Sequence, residues 1–243
     1  MWREVANGAF AVGWTVGWTS SAIAKSVITG DPGVVNAWTP KWAHGLARGW
    51  GMDVRAFGRE NIDPSRTYVF MSNHQSHVDI VALFVALPML PGFLAKKELR
   101  RVPFLGPAME WGGHVFIDRN KRADAFQALA DAADQVRKGK SIVIFPEGTR
   151  GDGQHVYRFK KGGFHLVKQA GVPLVPVGVR GTHEVLPKHS PRLRGGPVEV
   201  HIGRPVPSEA IADLPLEALI DRVRSAICDL SGLPPRDEAA RDV

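Results

Sequence analysis

Cysteine is nearly absent from this chain of 243 residues, which holds only Cys228. A single thiol excludes an internal disulfide framework and any zinc site built on paired cysteines, and it suits a reducing compartment. Cys228 lies in a helical-looking segment near the C-terminus, where a small thiol serves packing. Acidic residues are also scarce, 24 against 31 Lys and Arg, which leaves a formal net charge of +7 and a pI near 9.8. That deficit favours an anionic partner, be it nucleic acid, a phosphorylated metabolite or an anionic membrane. Long uninterrupted apolar runs are missing too. The most apolar stretch, 5–28, is broken by Asn7, Lys25 and several Thr and Ser residues, whereas a spanning helix wants about 20 predominantly apolar residues. Nor does the start read as a signal peptide, because Arg3 is followed at once by Glu4 and no small-residue cleavage site stands out.

What is present is unevenly placed. Six of the seven tryptophans fall in the first 50 residues. Trp14/Trp18 and Trp38/Trp42 are each spaced i,i+4, so each pair shares one helix face. Tryptophan favours a membrane–water boundary, where the ring is buried and the N–H stays wet. Residues 1–50 therefore read as a two-helix hairpin, broken at "TGDPG" (29–33), that associates with a membrane surface, with two helices packed on the core as the alternative. From Gly51 onward strand-like and helix-like segments alternate. Strands are expected at 67–72, 92–96, 114–118, 141–145, 173–179 and 198–202, with helices at 78–87, 103–111, 121–138, 163–170 and 215–230. This pattern specifies an α/β domain over 51–232, a mostly parallel central sheet flanked by helices, followed by a flexible tail at 233–243.

Sites in such sheets form beyond the carboxyl ends of strands, and three polar clusters occupy those positions. In "NHQSHVD" (73–79), His74 ends a strand and Asp79 lies near the start of the next helix. A carboxylate accepting the imidazole N–H would fix the tautomer and leave a general base. The pair could equally do no more than cap the helix. His74, His77 and Asp79 also supply three possible metal ligands, but their spacing does not suit one helical face and no second ligand cluster is recognisable. In "FIDRNKR" (116–122), Arg119, Lys121 and Arg122 could hold a phosphate at a helix start or form a solvated turn. In "FPEGTR" (145–150), Pro146 and Gly148 shape a sharp turn that aims Glu147 and Arg150 over the sheet edge. "RFKKGG" (158–163) then adds Arg158, Lys160 and Lys161.

"NHQSHVD", "GHVFIDR", "FPEGTR" and "VPLVPVGV" together resemble the four ordered blocks of the glycerophospholipid acyltransferase family, and "AKKELRRVPFLG" (95–106) resembles a segment that connects them. The likeness covers about residues 65–185. It implies acyl transfer from a thioester, acyl-CoA or acyl carrier protein, to the sn-2 hydroxyl of 1-acyl-sn-glycerol-3-phosphate, without a covalent acyl-enzyme and without a metal or other cofactor. By that likeness His74 is the base and Asp79 its partner. Arg119, Glu147, Gly148, Thr149 and Arg150 bind the glycerol-phosphate acceptor, supported by Asn73, Lys96 and Lys160. Gly151 departs from the family, where serine is frequent, and His77 is a variable position. The implied partners are membrane lysophosphatidic acid and the acyl donor, with attachment at the cytoplasmic face of an inner membrane. The same blocks serve other acceptors, so a lyso-ornithine lipid or lysophosphatidylglycerol remains an alternative, with a metal-dependent phosphohydrolase as a reading from another class. No nucleic-acid recognition motif accompanies the basic balance, and the tryptophans sit apart from the arginine clusters.

Overall fold

Seven short segments pair into one sheet. The computed structural model describes residues 2–31, 33–118, 122–190 and 192–238. Its strands are β1 (Met52–Phe57), β2 (Val69–Ser72), β3 (Gly92–Lys96), β4 (Val115–Ile117), β5 (Ile142–Ile144), β6 (Leu174–Arg180) and β7 (Gly196–Ile202). Their order is β1-β7-β6-β2-β5-β3-β4, and among the neighbouring pairs only β6 and β7 run antiparallel. The expected mostly parallel α/β sheet is therefore what forms. Central β2 and β5 are buried along their whole length, as continuous apolar runs covered on both faces should be.

The helices are α1 (Trp2–Thr29), α2 (Gly33–Gly49), α3 (Asp79–Ala86), α4 (Leu105–Trp111), α5 (Arg122–Arg137), α6 (Gly162–Ala170), α7 (Thr182–Val185), α8 (Ser208–Asp213) and α9 (Leu216–Ser231). Alternation along the strands sorts the core into two layers. Phe70, Val143 and Val175 face α2 and α3, where Leu46, Leu83 and Phe84 meet them. Val69, Met71, Ile142 and Ile144 face α5, α6 and α9, against Val136, Phe164 and Ile227. Pro176 is tolerated inside β6 because it lies just past the end of the β7 ladder, which begins at Val177 and Ile202, so no N–H is needed from it on that side.

Three expectations need correction. Strand β1 was not foreseen. Its alternation of buried or half-buried Met52, Val54 and Ala56 with exposed Asp53, Arg55 and Phe57 is that of an edge strand, too short and too charged to stand out. Of the tail expected at 233–243, residues 233–238 are held, and 239–243 lie outside the described residues. Val156 N–H donates to Pro234 O, Arg236 N–H to Val156 O and Arg158 N–H to Glu238 O, so residues up to 238 are docked against the 156–158 segment. The tryptophans do not face outward either. Trp18 meets Trp38 edge-on at 5.1 Å, and Trp42 meets Phe84 at 6.1 Å. Trp14 N–H donates to Trp42 O, and Trp42 N–H to Thr15 Oγ1. Gly45 and Gly49 open the face of α2, since a Cβ on either would overlap the rings of Trp14 and Phe10. The outward face of α1 carries aliphatic residues instead, Val12, Val16, Val27 and Ile28. Among the described residues no helix is long and apolar enough to cross a membrane.

His114 shows how the buried edge of the sheet responds to acid. Its Nδ1 accepts the Phe93 N–H at 3.2 Å, and the ring stacks on Phe93. Burial, aided by the charge of Lys140, lowers its pKa to about 4. Folding thus favours the neutral ring, so this contribution is complete above about pH 6.5 and is lost as pH falls toward 4. Urea midpoints should decline across that window, and His114→Phe should reduce the slope. An identical slope in the variant would remove His114 from the account.

Candidate active site

The loops that follow β2, β5 and β6 meet above the centre of the sheet. The chain steps to one side of β2 for β3, β4 and β5, then crosses to the other for β6 and β7, so the carboxyl end of β2 lies at a topological switch point. There β2 hands over to Asn73, which is fully buried. Its Nδ2 donates to Val179 O at 2.9 Å and its Oδ1 accepts Val179 N–H at 2.8 Å. One amide side chain thereby imitates a further ladder rung and fixes where the next residue emerges.

That residue is His74. Its Nδ1 lies 2.7 Å from Asp79 Oδ2, and the same oxygen accepts the N–H groups of Gln75 at 2.8 Å and Ser76 at 2.9 Å. The carboxylate that orients the imidazole also ties down the turn before α3, whose first turn has no side-chain cap. Phe145 stacks on the imidazole at 4.0 Å with an interplanar angle of 16°. With Nδ1–H committed to Asp79, Nε2 carries the lone pair, which is the arrangement a general base requires. His77 does not join the pair. Burial first, then the charge of Arg150, lowers its pKa to about 4, so it is neutral near pH 7. Among the described residues no group of three His, Cys, Asp or Glu side chains could hold a metal ion.

Glu147 takes a different place from the one its motif suggests. It is 1% exposed. One carboxylate oxygen accepts the His74 N–H at 2.8 Å and the other the Tyr157 N–H at 3.0 Å. Burial pushes its pKa up to about 8 against the pull of those two donors. It ties the loop after β2 to the segment after β5, with one oxygen committed to each. Gly148 adopts φ 78°, and a Cβ there would come 2.7 Å from the Lys160 side chain, so the turn packs directly under that lysine. Thr149 is buried beside it. Arg150 is half-buried and makes no hydrogen bond or ion pair to another described residue. Its charge, with that of Lys96, acts on His77, and Gly151, the next residue along, is hydrogen-bonded to the backbone of His74. Arg119, the remaining predicted contact, lies outside the described residues.

Gln75 was not singled out by sequence. It is buried, its Nε2 donates to His155 O, and its Oε1 accepts the Gly153 N–H. A Cβ on Gly151 would come 2.5 Å from Gln75 Oε1, which accounts for glycine at that position. Gly151 N–H in turn donates to His74 O at 2.7 Å. Only the position of Gln75 inside the motif hinted at this clamp. Next to the pair lies an apolar cavity of about 290 Å³, lined among others by Trp18, Trp42, Ile80, Phe84, Leu99 and Leu105, with His77 also on its wall.

An acyltransferase profile matches residues 53–180, a range that contains both the His74–Asp79 pair and the turn at Glu147–Arg150. The chain belongs to the acyltransferase family. The human 1-acyl-sn-glycerol-3-phosphate acyltransferase alpha is 34% identical over 179 residues, 73% of this chain and 63% of that protein. The 1-acyl-sn-glycerol-3-phosphate acyltransferase of Saccharomyces cerevisiae is 37% identical over 183 residues, 74% of this chain and 60% of that protein. The chain thus spans about 60% of the length of these relatives. The fold of this acyltransferase is also that of the crystal structure of the 1-acyl-sn-glycerophosphate (LPA) acyltransferase PlsC from Thermotoga maritima. The two share a TM-score of 0.83 and 26% identity, over 94% of this chain and 93% of that one.

Proposed function

We propose that this acyltransferase moves a fatty acyl group from a thioester, acyl-CoA or acyl carrier protein, to the sn-2 hydroxyl of 1-acyl-sn-glycerol-3-phosphate, giving phosphatidic acid. The observation that carries the reading is His74, fixed through Nδ1 with Nε2 left open, on a loop that the Gly151 N–H ties to the turn ending in Arg150. His74 Nε2 takes the proton of the acceptor hydroxyl as its oxygen attacks the thioester carbonyl carbon. The C–S bond breaks as the tetrahedral intermediate collapses, and the imidazolium returns the proton to the leaving thiolate. Asp79 stabilises the imidazolium in between.

Direct transfer is favoured by where the candidate nucleophiles lie. Ser72 is buried and donates to Asn73 O, Ser76 is buried and donates to Leu186 O, and Cys228 lies on α9. Arg150 binds the acceptor phosphate, with Lys96 and Lys160 adding charge and Arg119 as a further candidate. Glu147 acts through the backbone of His74. The apolar cavity, walled by the hairpin and α3, receives an acyl chain. The chain attaches at the cytoplasmic face of the inner membrane in this reading, and the outward aliphatic face of α1 supports the attachment to a membrane. No metal or organic cofactor enters this chemistry.

The phosphate assignment is testable in two ways. Charge-assisted hydrogen bonds contribute about 1.5–3 kcal/mol, so Arg150→Ala should raise the acceptor KM about 10–100-fold with a smaller change in kcat. Wild-type protein should also discriminate strongly against monoacylglycerol, which lacks the phosphate. Equal use of both acceptors, or an unchanged KM in the variant, would remove Arg150 from phosphate binding.

A further inference from the structure

Phe104 holds a left-handed backbone, φ 63° and ψ −44°, in a chain where His189 is the other non-glycine residue of positive φ among those described. Leu105 N–H donates to Pro103 O at 2.7 Å, which closes a γ-turn of the rare and strained hand. Gly106 seats this turn against the short 3-10 helix Lys97–Arg101, since a Cβ on it would come 2.1 Å from Arg100 O. Strain of this kind persists only where the surroundings impose it and usually accompanies function. Yet the ring it places is 47% exposed. Val102 and Trp111, on either side, are exposed as well. The segment is divided in use: Leu99 and Leu105 turn inward onto the apolar cavity, while Val102 and Phe104 project outward.

The surface is continuous with the helical hairpin. Ala108 of α4 packs with Ala22 of α1 and Val35 of α2, and the nearby end of α1 carries Val27 and Ile28, 69% and 83% exposed. Cations border the apolar residues. Lys97 lies 3.7 Å from both Asp118 and Asp124, and Arg100 lies 2.6 Å from Glu110. Arg101 is exposed and has no ion-pair partner among the described residues. Two of these three cations are already paired, so the exposed apolar side chains more than the charge set the character of the patch. Projecting Phe, Val and Trp side chains with basic residues at their edge match a bilayer bearing anionic lipid.

We propose that residues 97–111 form a membrane-insertion site distinct from the hairpin. Phe104, Val102 and Trp111 enter the bilayer, Arg101 stays at headgroup level, and acyl chains move between the bilayer and the cavity past Leu99 and Leu105. This rests on the reading of the chain as an enzyme with a membrane-borne acceptor. It adds where the lipid crosses from membrane to protein.

The test uses the full chain in a Cys228→Ser background, with an environment-sensitive fluorophore on Phe104→Cys, Ile28→Cys or Ser65→Cys. Ser65 is exposed on the loop before β2, at the opposite end of the strands from the site. Vesicles of phosphatidylcholine with phosphatidylglycerol should blue-shift the label at 104 and shield it from iodide, and leave the label at 65 unchanged. A shift at 28 without one at 104 would overturn the insertion site while sparing membrane attachment through α1. No shift at either would overturn both, and a shift at 104 caused by acyl carrier protein but not by vesicles would replace the bilayer with a protein partner. Phe104→Gly supplies a variant whose backbone suits positive φ. It should keep its Tm, lose turnover of vesicle-borne acceptor about tenfold and retain turnover of a short-chain, water-soluble lysophosphatidate. Unchanged turnover on vesicles would contradict the proposal. Inactivity of the wild-type chain on the soluble acceptor would instead undo the enzymatic reading beneath it.

Discussion

His74→Ala is expected to lower kcat by about 10²–10⁴-fold, the contribution of a positioned general base, with little loss of Tm. The small stability cost follows from what the imidazole touches. Its side-chain contacts are one hydrogen bond to Asp79 and one stacking contact with Phe145. Asp79 keeps its two backbone donors, Gln75 and Ser76, in the variant, so the turn remains clamped. The acceptor KM should change little, because the proposal assigns the phosphate to Arg150 and not to His74. A variant that keeps more than about a tenth of the rate would remove His74 as the base. A collapse of Tm with the rate would mean that the ring is a packing residue.

Glu147→Gln should behave differently, losing stability and rate together. The native carboxyl accepts two buried backbone N–H groups, one on each oxygen. Glutamine offers one acceptor and turns a donor toward the other N–H, which leaves that group unpaired at a cost of about 1–3 kcal/mol. Glu147→Ala abandons both donors and should cost about 2–4 kcal/mol. Because one donor is the backbone N–H of His74, kcat should fall in both variants while the acceptor KM changes less. A Gln variant with native Tm and a raised acceptor KM alone would instead put this carboxylate in contact with the glycerol. The pH dependence has a definite sign. The pKa is raised from an ordinary 4.5 to about 8, so between those values the folded state binds the proton more firmly than the unfolded state. Stability should therefore fall as pH rises through that window, a slope that Glu147→Gln should lack.

The contrast between these two residues shows what the sequence made legible. The spacing of His74 and Asp79 encodes their contact directly, because a strand end followed by a helix start leaves few places for a carboxylate five residues away. Glu147 was read as an acceptor contact because a sharp turn at a strand end can aim a carboxylate over the sheet. Which way such a side chain points depends on donors far along the chain, His74 N–H and Tyr157 N–H, and no local pattern carries that information. Gln75 and Gly151 were opaque for the same reason, since their fit is a mutual contact between two loops. The i,i+4 tryptophan pairs were correctly placed on shared faces. Whether those faces meet lipid or one another turned on Gly45 and Gly49, whose missing side chains admit the rings. The central strands announced themselves through burial on both faces, and β1 did not because only one of its faces is covered.

The measurement that bears most directly on the whole account is product identification with purified protein. 1-Acyl-sn-glycerol-3-phosphate in vesicles is mixed with acyl-CoA or acyl carrier protein thioester, and the lipids are analysed by mass spectrometry. Phosphatidic acid should form with at least one donor, one thiol released for each molecule made, and His74→Ala should make almost none. Absence of phosphatidic acid with both donors, or formation at an undiminished rate by His74→Ala, would contradict the account.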